Sequence, residues 1–438
     1  MSRIQYYSIS YHYFDKKPNL MIKETTIALL LGVLVLSCES NTYEPERQFE
    51  DIQQQLLSQF ILAEDSTVIE LPEGQFIFNN SLILDGKKHV TIRGKGMDRT
   101  VLSFKGQQEG AEGIRVANCT AITIEDLAIE DAAGDNIKIT DTDGVTIRRV
   151  RSAWTGKVSE KNGAYGLYPV ICKNVLIEDC EVLGASDAGI YVGQSEDVII
   201  RNNKTWWNVA GIESENSENV EIYGNTAYNN TGGILVFDLP GLTRYGKNIR
   251  VYNNEVYENN LANFAPPGNI VGVVPKGTGM IVLATEGVEV YNNKIRDNKT
   301  IGVAIISYEL VAAISAEGEA SEGEGSAQTV NNNYKEDKNY NPFPRRIYVH
   351  DNEISSSYIL PALNNDFGKL FLFNFGFSLP DIAWDGIRAP EYFAEDGTVN
   401  PEYMICIQEG EGVKTTDLDA ANDFDKLETN PDIFKCKP

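Results

Sequence analysis

The sequence predicts an all-β fold, a parallel β-helix, and two repeated patterns carry that prediction. The first is a β-branched stretch that ends in asparagine, and it recurs as VIIRNN from position 198, VEIYGN from 220, IRVYNN from 249, VEVYNN from 288 and IYVHDN from 347. The second is glycine followed by alternating apolar residues, as in GIYV from 189 and GILV from 233. The base spacing, for example from 198 to 220, is 22 residues. That length is too short for a pair of helices and suits two short strands with tight turns, stacked coil on coil.

Strand alternation assigns the side chains of each repeat to the inside or the outside of the coil. The predicted inward column is apolar throughout and forms a continuous core: Ile114, Ile137, Leu167, Ile190, Ile212, Ile234, Met280 and Val303. One turn position is asparagine in successive coils, at Asn203, Asn225, Asn254, Asn293 and Asn352. Buried amides about 4.8 Å apart can bond to one another along the stack, so we expect an asparagine ladder.

Both ends of an open solenoid need a cover, because they expose core and strand edges. Residues 39–85 are predicted as an N-terminal cap that contains a helix, with Phe49, Ile52, Leu56 and Phe60 on one face. The β-helix is predicted over 86–357. Within it, the acidic, glycine-rich stretch 309–343 is predicted as a flexible insert. Residues 358–438 lack the repeat and are predicted as an irregular C-terminal cap.

Residues 1–38 read as a leader and a lipoprotein signal peptide, with Met21 as the expected start of translation. A short lead with Lys23 precedes an apolar run from Ile27 to Leu36, which is too short to span a membrane. The ending Val-Leu-Ser-Cys resembles a bacterial lipobox, in which Cys38 would become the lipidated first residue of the mature protein. The expected location is the bacterial envelope, in the periplasm or on the cell surface.

Charge and cysteine usage restrict the partners further. The chain has 38 basic and 63 acidic residues, a net charge of −25, which disfavours nucleic acid and anionic membrane surfaces. We therefore expect membrane contact only through the lipid, and a monomer.

Cys119 and Cys172 occupy one repeat position two coils apart, roughly 9.6 Å, which is too far for a disulfide. They and Cys180 are expected to be free thiols, whereas Cys406 and Cys436 are expected to be oxidised in an exported protein.

The repeats resemble the right-handed parallel β-helix of the pectate-lyase-like superfamily, and together with the lipobox they resemble bacterial β-helix lipoproteins. This scaffold hosts lyases, epimerases, hydrolases and non-catalytic adhesins. The stretch YGLYPV at 165–170 is also similar to the Tyr-Gly-x-Asp-Pro-His motif of mannuronan epimerases. Tyr168 stands at the motif's Asp position and Val170 at its His position, so the histidine-dependent mechanism does not carry over.

The outward columns of the glycine-led strand hold the candidate site. One column reads Arg115, Lys138, Tyr168, Tyr191, Glu213, Leu235, and the next reads Ala117, Thr140, Val170, Gly193, Glu215, Phe237. In the resembling superfamily, sugar chains lie on such a face. Lyase or epimerase chemistry on a uronic acid needs a cation, a base and an acid, and the candidate catalytic residues are Lys138, Tyr168, Tyr191 and Glu213. The candidate substrate-binding residues are Arg115, Tyr165, Glu215 and Trp206.

Several alternatives stay open from the sequence alone. Hydrolysis would use Glu213 with Glu215 and is the less favoured reaction. The same face is also consistent with a non-catalytic carbohydrate-binding or envelope-scaffold protein. No cofactor is required by the pattern, but calcium is a candidate ligand, either of Asp135, Asp141 and Asp143 or of Glu213, Glu215 and Asp238. Trp206 and Trp207 suit either a sugar-stacking platform or a buried turn.

Overall fold

The computed structural model describes residues 41–317 and 333–436. Three α-helices lie in these residues: α1 over Gln53–Leu62, α2 over Tyr308–Glu317 and α3 over Asp366–Phe375. Short 3-10 turns occupy Ile270–Val273, Tyr334–Glu336, Pro401–Tyr403, Ala420–Asn422 and Asp432–Phe434. None of the helices in the described part of the chain is long and apolar enough to cross a membrane. Cys38 lies outside the described residues.

Nearly all strands belong to three parallel sheets that run the length of the solenoid. Sheet 1 contains Asn80–Asp85, Glu109–Ala117, Ile137–Thr140, Tyr165–Val170, Ala188–Gly193, Ala210–Glu215, Gly232–Phe237, Thr278–Leu283, Ile301–Ile306, Ile382–Trp384 and Thr415–Asp417, with Glu428–Thr429 antiparallel at its edge. Sheet 2 contains Val68–Glu70, Thr91–Arg93, Lys173–Glu178, Glu196–Arg201, Glu218–Tyr223, Lys247–Tyr252, Glu286–Tyr291, Arg345–His350 and Ile405–Gln408. Sheet 3 contains Gly74–Ile77, Thr100–Ser103, Glu181–Leu183, Lys204–Trp206, Thr226–Tyr228, Glu255–Tyr257, Lys294–Arg296 and Glu353–Ser355.

Two long strands and one small sheet complete the β-structure. Thr120–Glu130 and Asp143–Ala153 run from sheet 2 into sheet 3 and pair with each other along their whole length. Thr42–Tyr43 pairs antiparallel with Gly156–Lys157. The predicted all-β, parallel β-helix is therefore confirmed, and the few helices lie between or beside the coils.

The predicted inward column is confirmed residue by residue. Ile114 pairs with Ile137, and the ladder continues through Leu167, Ile190, Ile212, Ile234, Met280 and Val303. All of these side chains are buried in one core. Because side chains alternate between the two faces of a strand, this inward register also fixes which residues of sheet 1 point outward.

The asparagine ladder forms as predicted, and a second ladder accompanies it. Asn203 donates to the Asn225 side-chain oxygen from both its backbone and its side-chain nitrogen, each at 3.0 Å. The same pair of bonds repeats through Asn254 and Asn293 to Asn352. The second ladder joins Asn208, Asn230, Asn259 and Asn298. Its sequence signal is an asparagine three positions before the repeat glycine, at Gly211 and Gly233.

The parallel ladders extend beyond the range 86–357 that the sequence indicates. They begin at Val68, and Ile405 and Ile382 continue sheets 2 and 1 beyond Ile347 and Val303. These outer strands lack the asparagine and glycine signals of the central repeats, which is why the pattern misses them. At the N-terminal end, Leu56 and Phe60 of α1 are buried in the main core.

The predicted insert 309–343 has ordered ends. Its first residues continue α2, which begins at Tyr308, and Tyr334 and Tyr340 near its other end are buried. Residues 318–332 lie outside the described part of the chain. A flexible insert is therefore the wrong description for the flanks, since apolar and aromatic side chains there pack onto the outside of sheet 1.

The five cysteines within residues 41–317 and 333–436 comprise one disulfide and three buried thiols. Cys406 and Cys436 form a disulfide with 5.6 Å between their Cα atoms. Thr142 lies between Cys119 and Cys172 in the stack, and its hydroxyl accepts the Cys119 backbone N–H at 3.3 Å. Burial raises the pKa of the Cys172 and Cys180 thiols to about 12.

We expect Cys119, Cys172 and Cys180 to resist iodoacetamide in the native protein and to react fully after denaturation. The thiolate is the reactive form, and burial makes it scarce and inaccessible. Peptide mapping without reduction checks both states of the protein. Native labelling of Cys172 at the rate of free cysteine would contradict the assigned register.

Candidate functional site

The outward columns predicted from the sequence exist in the structure. On sheet 1, Lys138 pairs with Arg115 on one side and Tyr168 on the other, and Tyr191 pairs with Glu213. Glu215 is in register with Gly193 in the neighbouring column. The structure thus brings the four candidate catalytic residues together with Arg115 and Glu215 on one sheet face.

That face is open at one end and covered at the other. Arg115 is exposed, the Lys138 side chain is 25% exposed and Tyr168 is half-buried. In contrast, Tyr191 and Glu213 are each only 1% exposed and Glu215 is 2% exposed. An enzyme that used all four candidate catalytic residues would need this whole face to be accessible, and its carboxylate end is not. We call Arg115, Lys138 and Tyr168 the cationic strip.

Residues 238–246, here called the cover segment, fold back onto the turns that follow the strands Ala188–Gly193 and Ala210–Glu215. The Thr243 backbone N–H and hydroxyl donate to the Gln194 side-chain oxygen at 3.1 and 2.9 Å. The Asn216 amide donates to the carbonyls of Leu239 and Arg244 at 2.9 and 2.8 Å. Repeat analysis could not foresee this cover, because the segment is a loop between two coils and has no periodic pattern.

Three tyrosines form the boundary between the open and covered parts. The ring centres of Tyr165, Tyr168 and Tyr191 lie 4.5 to 4.8 Å apart. The Tyr191 hydroxyl lies only 2.2 Å from the place that a Cβ atom would take at Gly193, so that position requires glycine. The same hydroxyl donates a hydrogen bond to Glu215. Tyr165 thus lies against Tyr168 and Tyr191 and is buried.

Two buried carboxyl groups behind the tyrosines have raised pKa values. Burial raises the pKa of Asp187 to about 7, even though the Tyr165 hydroxyl donates to it at 3.4 Å. Burial and the nearby Asp187 and Glu215 charges raise the pKa of Glu213 well above its usual range. One oxygen of each group, Oδ1 of Asp187 and Oε1 of Glu213, has no hydrogen-bond partner among the described residues. Charged forms of such groups are unfavourable, so near neutrality the cluster holds protons.

Asp187 is the site residue that the sequence reasoning missed. It lies directly before the strand Ala188–Gly193, at a turn where acidic residues are common. The sequence did contain a signal for it: like Asp135, Asp187 is an aspartate that comes within two residues of the start of a sheet 1 strand.

Lys138 lies in the open part and pairs with Asp135, which is buried beside it. The Lys138 ammonium lies 3.5 Å from Asp135 Oδ2 and 4.8 Å from the centre of the Tyr168 ring. Burial raises the pKa of Asp135 to about 6, against the opposing effect of Lys138. A cation, a phenol and a carboxyl group that titrates near neutrality are thus within reach of one another. Such a set can bind a carboxylate and exchange protons with it.

Trp206 is not part of this site, because it lies on sheet 3. Its ring stacks on Tyr228 with 5.9 Å between centres, and Tyr228 stacks in turn on Tyr257 at 5.3 Å. Tyr228 therefore covers one face of the Trp206 ring. Trp206 also lies on a different sheet from the cationic strip, so it cannot stack on a sugar bound there.

The residues considered for calcium do not converge. Asp141 accepts from Thr140 at 2.8 Å and Asp143 accepts from Asn174 at 2.7 Å, both at the surface, while Asp135 pairs with Lys138. Asp238 accepts the Gly246 backbone N–H at 2.8 Å. Within residues 41–317 and 333–436, no three His, Cys, Asp or Glu side chains are placed to hold one metal ion.

Comparison with known proteins gives a family match and several similar structures. Residues 80–243 match the family described as "Right handed beta helix region". The A-module of mannuronan C-5 epimerase AlgE6 from Azotobacter vinelandii is 16% identical, with a TM-score of 0.52 over 84% of this chain and 92% of that one. The A-module of AlgE4 from the same organism is 14% identical, with a TM-score of 0.48 over 77% and 91%.

A polygalacturonase from Erwinia carotovora ssp. carotovora is 9% identical, with a TM-score of 0.41 over 73% of this chain and 93% of that one. Among curated proteins, none matches the sequence significantly. At such low identity, the likeness to the AlgE6 module concerns the fold alone. Together with the ladders described above, the family match and that likeness identify the chain as a right-handed parallel β-helix protein.

Proposed function

We propose that this protein binds an acidic polysaccharide along the cationic strip of sheet 1. The observation that carries the proposal is the placement of Arg115 and Lys138 on adjacent strands, both accessible and both facing outward beside Tyr168. Neighbouring strands are about 4.8 Å apart, so the two cations form a row along the axis of the solenoid. A row of cations beside an aromatic ring suits a chain of sugar carboxylates.

The enzymatic form of this proposal is lyase or epimerase chemistry on a uronic acid. Lys138 would neutralise the sugar carboxylate, and the partly exposed Tyr168 would take and return the proton at C5. In a lyase the C5 proton is removed and the C4 oxygen leaves with the electron pair, whereas an epimerase returns a proton to the opposite face of C5. Hydrolysis by Glu213 and Glu215 is less well supported, because both carboxyl groups are buried.

A second candidate is binding without turnover. It is favoured by the burial of Tyr191 and Glu213, two of the four residues that we predicted as catalytic. With Tyr191 and Glu213 buried, sugar can reach only the cationic strip and the partly exposed Tyr168 at its end.

The two forms are separated by one screen of the full-length protein against polyuronates and neutral polysaccharides. Affinity electrophoresis measures binding, ultraviolet absorbance detects unsaturated ends, and NMR in deuterated water detects exchange at C5 without chain scission. We expect retardation by at least one polyuronate and by no neutral polymer. Absorbance or exchange would establish the enzymatic form, and retardation alone would establish the binding form. Equal failure to bind every polyuronate would overturn the proposal.

We further propose that the protein is exported and anchored through a lipid on Cys38, on the strength of the lipobox-like ending of residues 21–38. Mass spectrometry of the mature N-terminus should find a diacylated or triacylated Cys38. An intact peptide that spans Ser37 and Cys38 in the mature protein would rule out this anchor.

A further inference from the structure

Beyond the tyrosine cluster, the outward face of sheet 1 becomes apolar. The column positions that hold Glu213 and Glu215 are taken by Leu235 and Phe237, then by Ile281 and Leu283. A cavity of about 90 Å³ lies over these side chains. Its other walls are the segment from Ile270 to Pro275, Leu310, Val311 and Ile314 of α2, and Phe367 and Phe371 of α3. Such a chamber favours hydrocarbon over water, since it offers few hydrogen-bonding groups.

A second cavity, of about 180 Å³, adjoins the first and is polar. The two share Thr300 and Ile301 as wall residues. The polar cavity is lined by Lys299, Lys414, Asn298, Ser355, Ser356, Tyr358 and one acidic residue, Asp381. The Asp381 carboxylate is already engaged, because it accepts the Lys414 backbone N–H at 2.8 Å. An apolar cavity next to a polar cavity lined by lysines can accommodate an amphiphile, with its alkyl chain in the first and its headgroup in the second.

Two lysines at this junction have no carboxylate partner in the described part of the chain. Lys299 lines the polar cavity and lies 4.4 Å from the centre of the Tyr358 ring. Lys276 directly follows Pro275 of the apolar wall, and its carbonyl accepts a hydrogen bond from the hydroxyl of the shared wall residue Thr300. Burial and the Lys299 charge lower the pKa of Lys276. A bound anion would give both lysines a partner of opposite charge.

Helix α3, which forms one wall of the apolar cavity, is apolar on its outer side as well. Phe373 is 84% exposed, Phe377 is 73% exposed, and Ile359 just before the helix is 66% exposed. Ile359 and Phe377 also line the polar cavity. Exposed apolar side chains at this density mark a binding surface, and here they extend the apolar path outward from the cavity.

We propose that the two cavities together bind one anionic amphiphile, whose alkyl end lies under α3 and whose negative headgroup lies at Lys276 and Lys299. The enclosed apolar volume is smaller than the cavity of about 150 Å³ that holds benzene in another protein, so it receives only the end of an alkyl chain. The remainder of the chain lies between that cavity and Lys299, along the shared wall residues Thr300 and Ile301. A free long-chain carboxylate and an anionic phospholipid share this chemistry, and the site is separate from the cationic strip.

The test uses the full-length protein in neutral phosphatidylcholine nanodiscs and a diazirine-bearing palmitate as photoprobe. We expect the label in peptides that contain residues 270–283, 301–314 and 358–379, and competition by unlabelled carboxylates. Each added methylene should strengthen competition roughly fourfold until the apolar cavity is full. A diazirine-bearing phosphatidylglycerol in a parallel arm identifies which source is preferred.

Variants then separate the tail site from the head site. Ala304→Trp, which fills the apolar cavity, should reduce labelling by palmitate and by the matching alkyl alcohol about tenfold or more. Lys276→Gln with Lys299→Gln should weaken the carboxylate about tenfold and leave the alcohol unchanged. Lys335→Gln, an exposed lysine paired with Glu309, is the matched control and should change neither.

Thermal melting shows which variants are folded. The competition series with carboxylates of increasing chain length uses the unaltered protein, so it tests the proposal even if a variant fails to fold. Labelling that is spread over the whole surface, or competition that is independent of chain length, would overturn the proposal. An equal loss of carboxylate and alcohol in the double lysine variant would refute the head site.

Discussion

Lys138→Ala should weaken the binding of an acidic polysaccharide by at least about tenfold, because it removes the cation at the centre of the cationic strip. The protein should stay folded, since the side chain is on the outside of sheet 1 and its removal opens no core cavity. Asp135 loses its partner but can take up a proton, because burial already raises its pKa to about 6. Affinity electrophoresis against a polyuronate, with a thermal melt of each variant, measures both effects.

Two control substitutions separate the binding face from the scaffold. Lys247→Ala removes an outward lysine of sheet 2, paired with Glu218 at 3.1 Å, and should leave binding unchanged. Ile190→Ala removes an inward core side chain one residue from Tyr191 and should cost about 2 to 5 kcal/mol of stability, with binding lost only through unfolding. Undiminished polyuronate binding by Lys138→Ala would show that the strip is not the binding face.

The free energy of unfolding should fall as the pH rises from about 4 to 8, because folding raises the pKa of several carboxyl groups. The pKa of Asp187 rises from 3.8 to about 7 and that of Asp238 from 3.8 to about 8, in both cases mainly by burial. Between the unfolded and folded pKa values the folded state binds more protons, so its advantage is complete below pH 4 and is lost as the pH approaches 7 to 8. Each such group contributes a slope of up to about 1.4 kcal/mol per pH unit.

Asp187→Asn isolates one of these groups. The amide keeps the shape of the carboxyl group and cannot become charged, so this variant should be more stable than the parent at pH 8 by roughly 1 to 3 kcal/mol, and nearly equal to it at pH 4. Denaturant unfolding across this pH range provides the measurement. A variant that is less stable at pH 8 than the parent would mean that the Asp187 charge is stabilised in the folded protein.

Much of the fold was predictable because every coil of a solenoid repeats the same strand pattern and the same pairing register. Once Ile190 and Ile212 are placed inside, strand alternation places Tyr191 and Glu213 outside, and the repeat register carries this through every coil. The asparagine ladder followed from the same register, since a buried amide needs partners. Outer coils such as the one that contains Ile382 were missed because they have the pairing without the glycine and asparagine signals.

The sequence predicted which residues of the candidate site share an outward column, but not which of them are accessible to solvent. Which outward residues are accessible depends on the segments between the coils, and these do not repeat, so no periodic argument predicts the burial of Tyr191 and Glu213. Asp187 was missed because a turn carboxylate looks ordinary until its burial is known. Trp206 was assigned to the site by residue type alone, and its sheet assignment shows why that was insufficient.

Hydrogen–deuterium exchange of the protein, with and without a polyuronate oligosaccharide, tests the central claim most directly. If the cationic strip binds the sugar, protection should appear in peptides that cover Glu109–Ala117, Ile137–Thr140 and Tyr165–Val170 of sheet 1. Peptides that cover Lys173–Glu178 and Glu218–Tyr223, on sheet 2 of the same solenoid, should be unchanged. Protection confined to sheet 2, or none on sheet 1 at saturating oligosaccharide, would contradict the account.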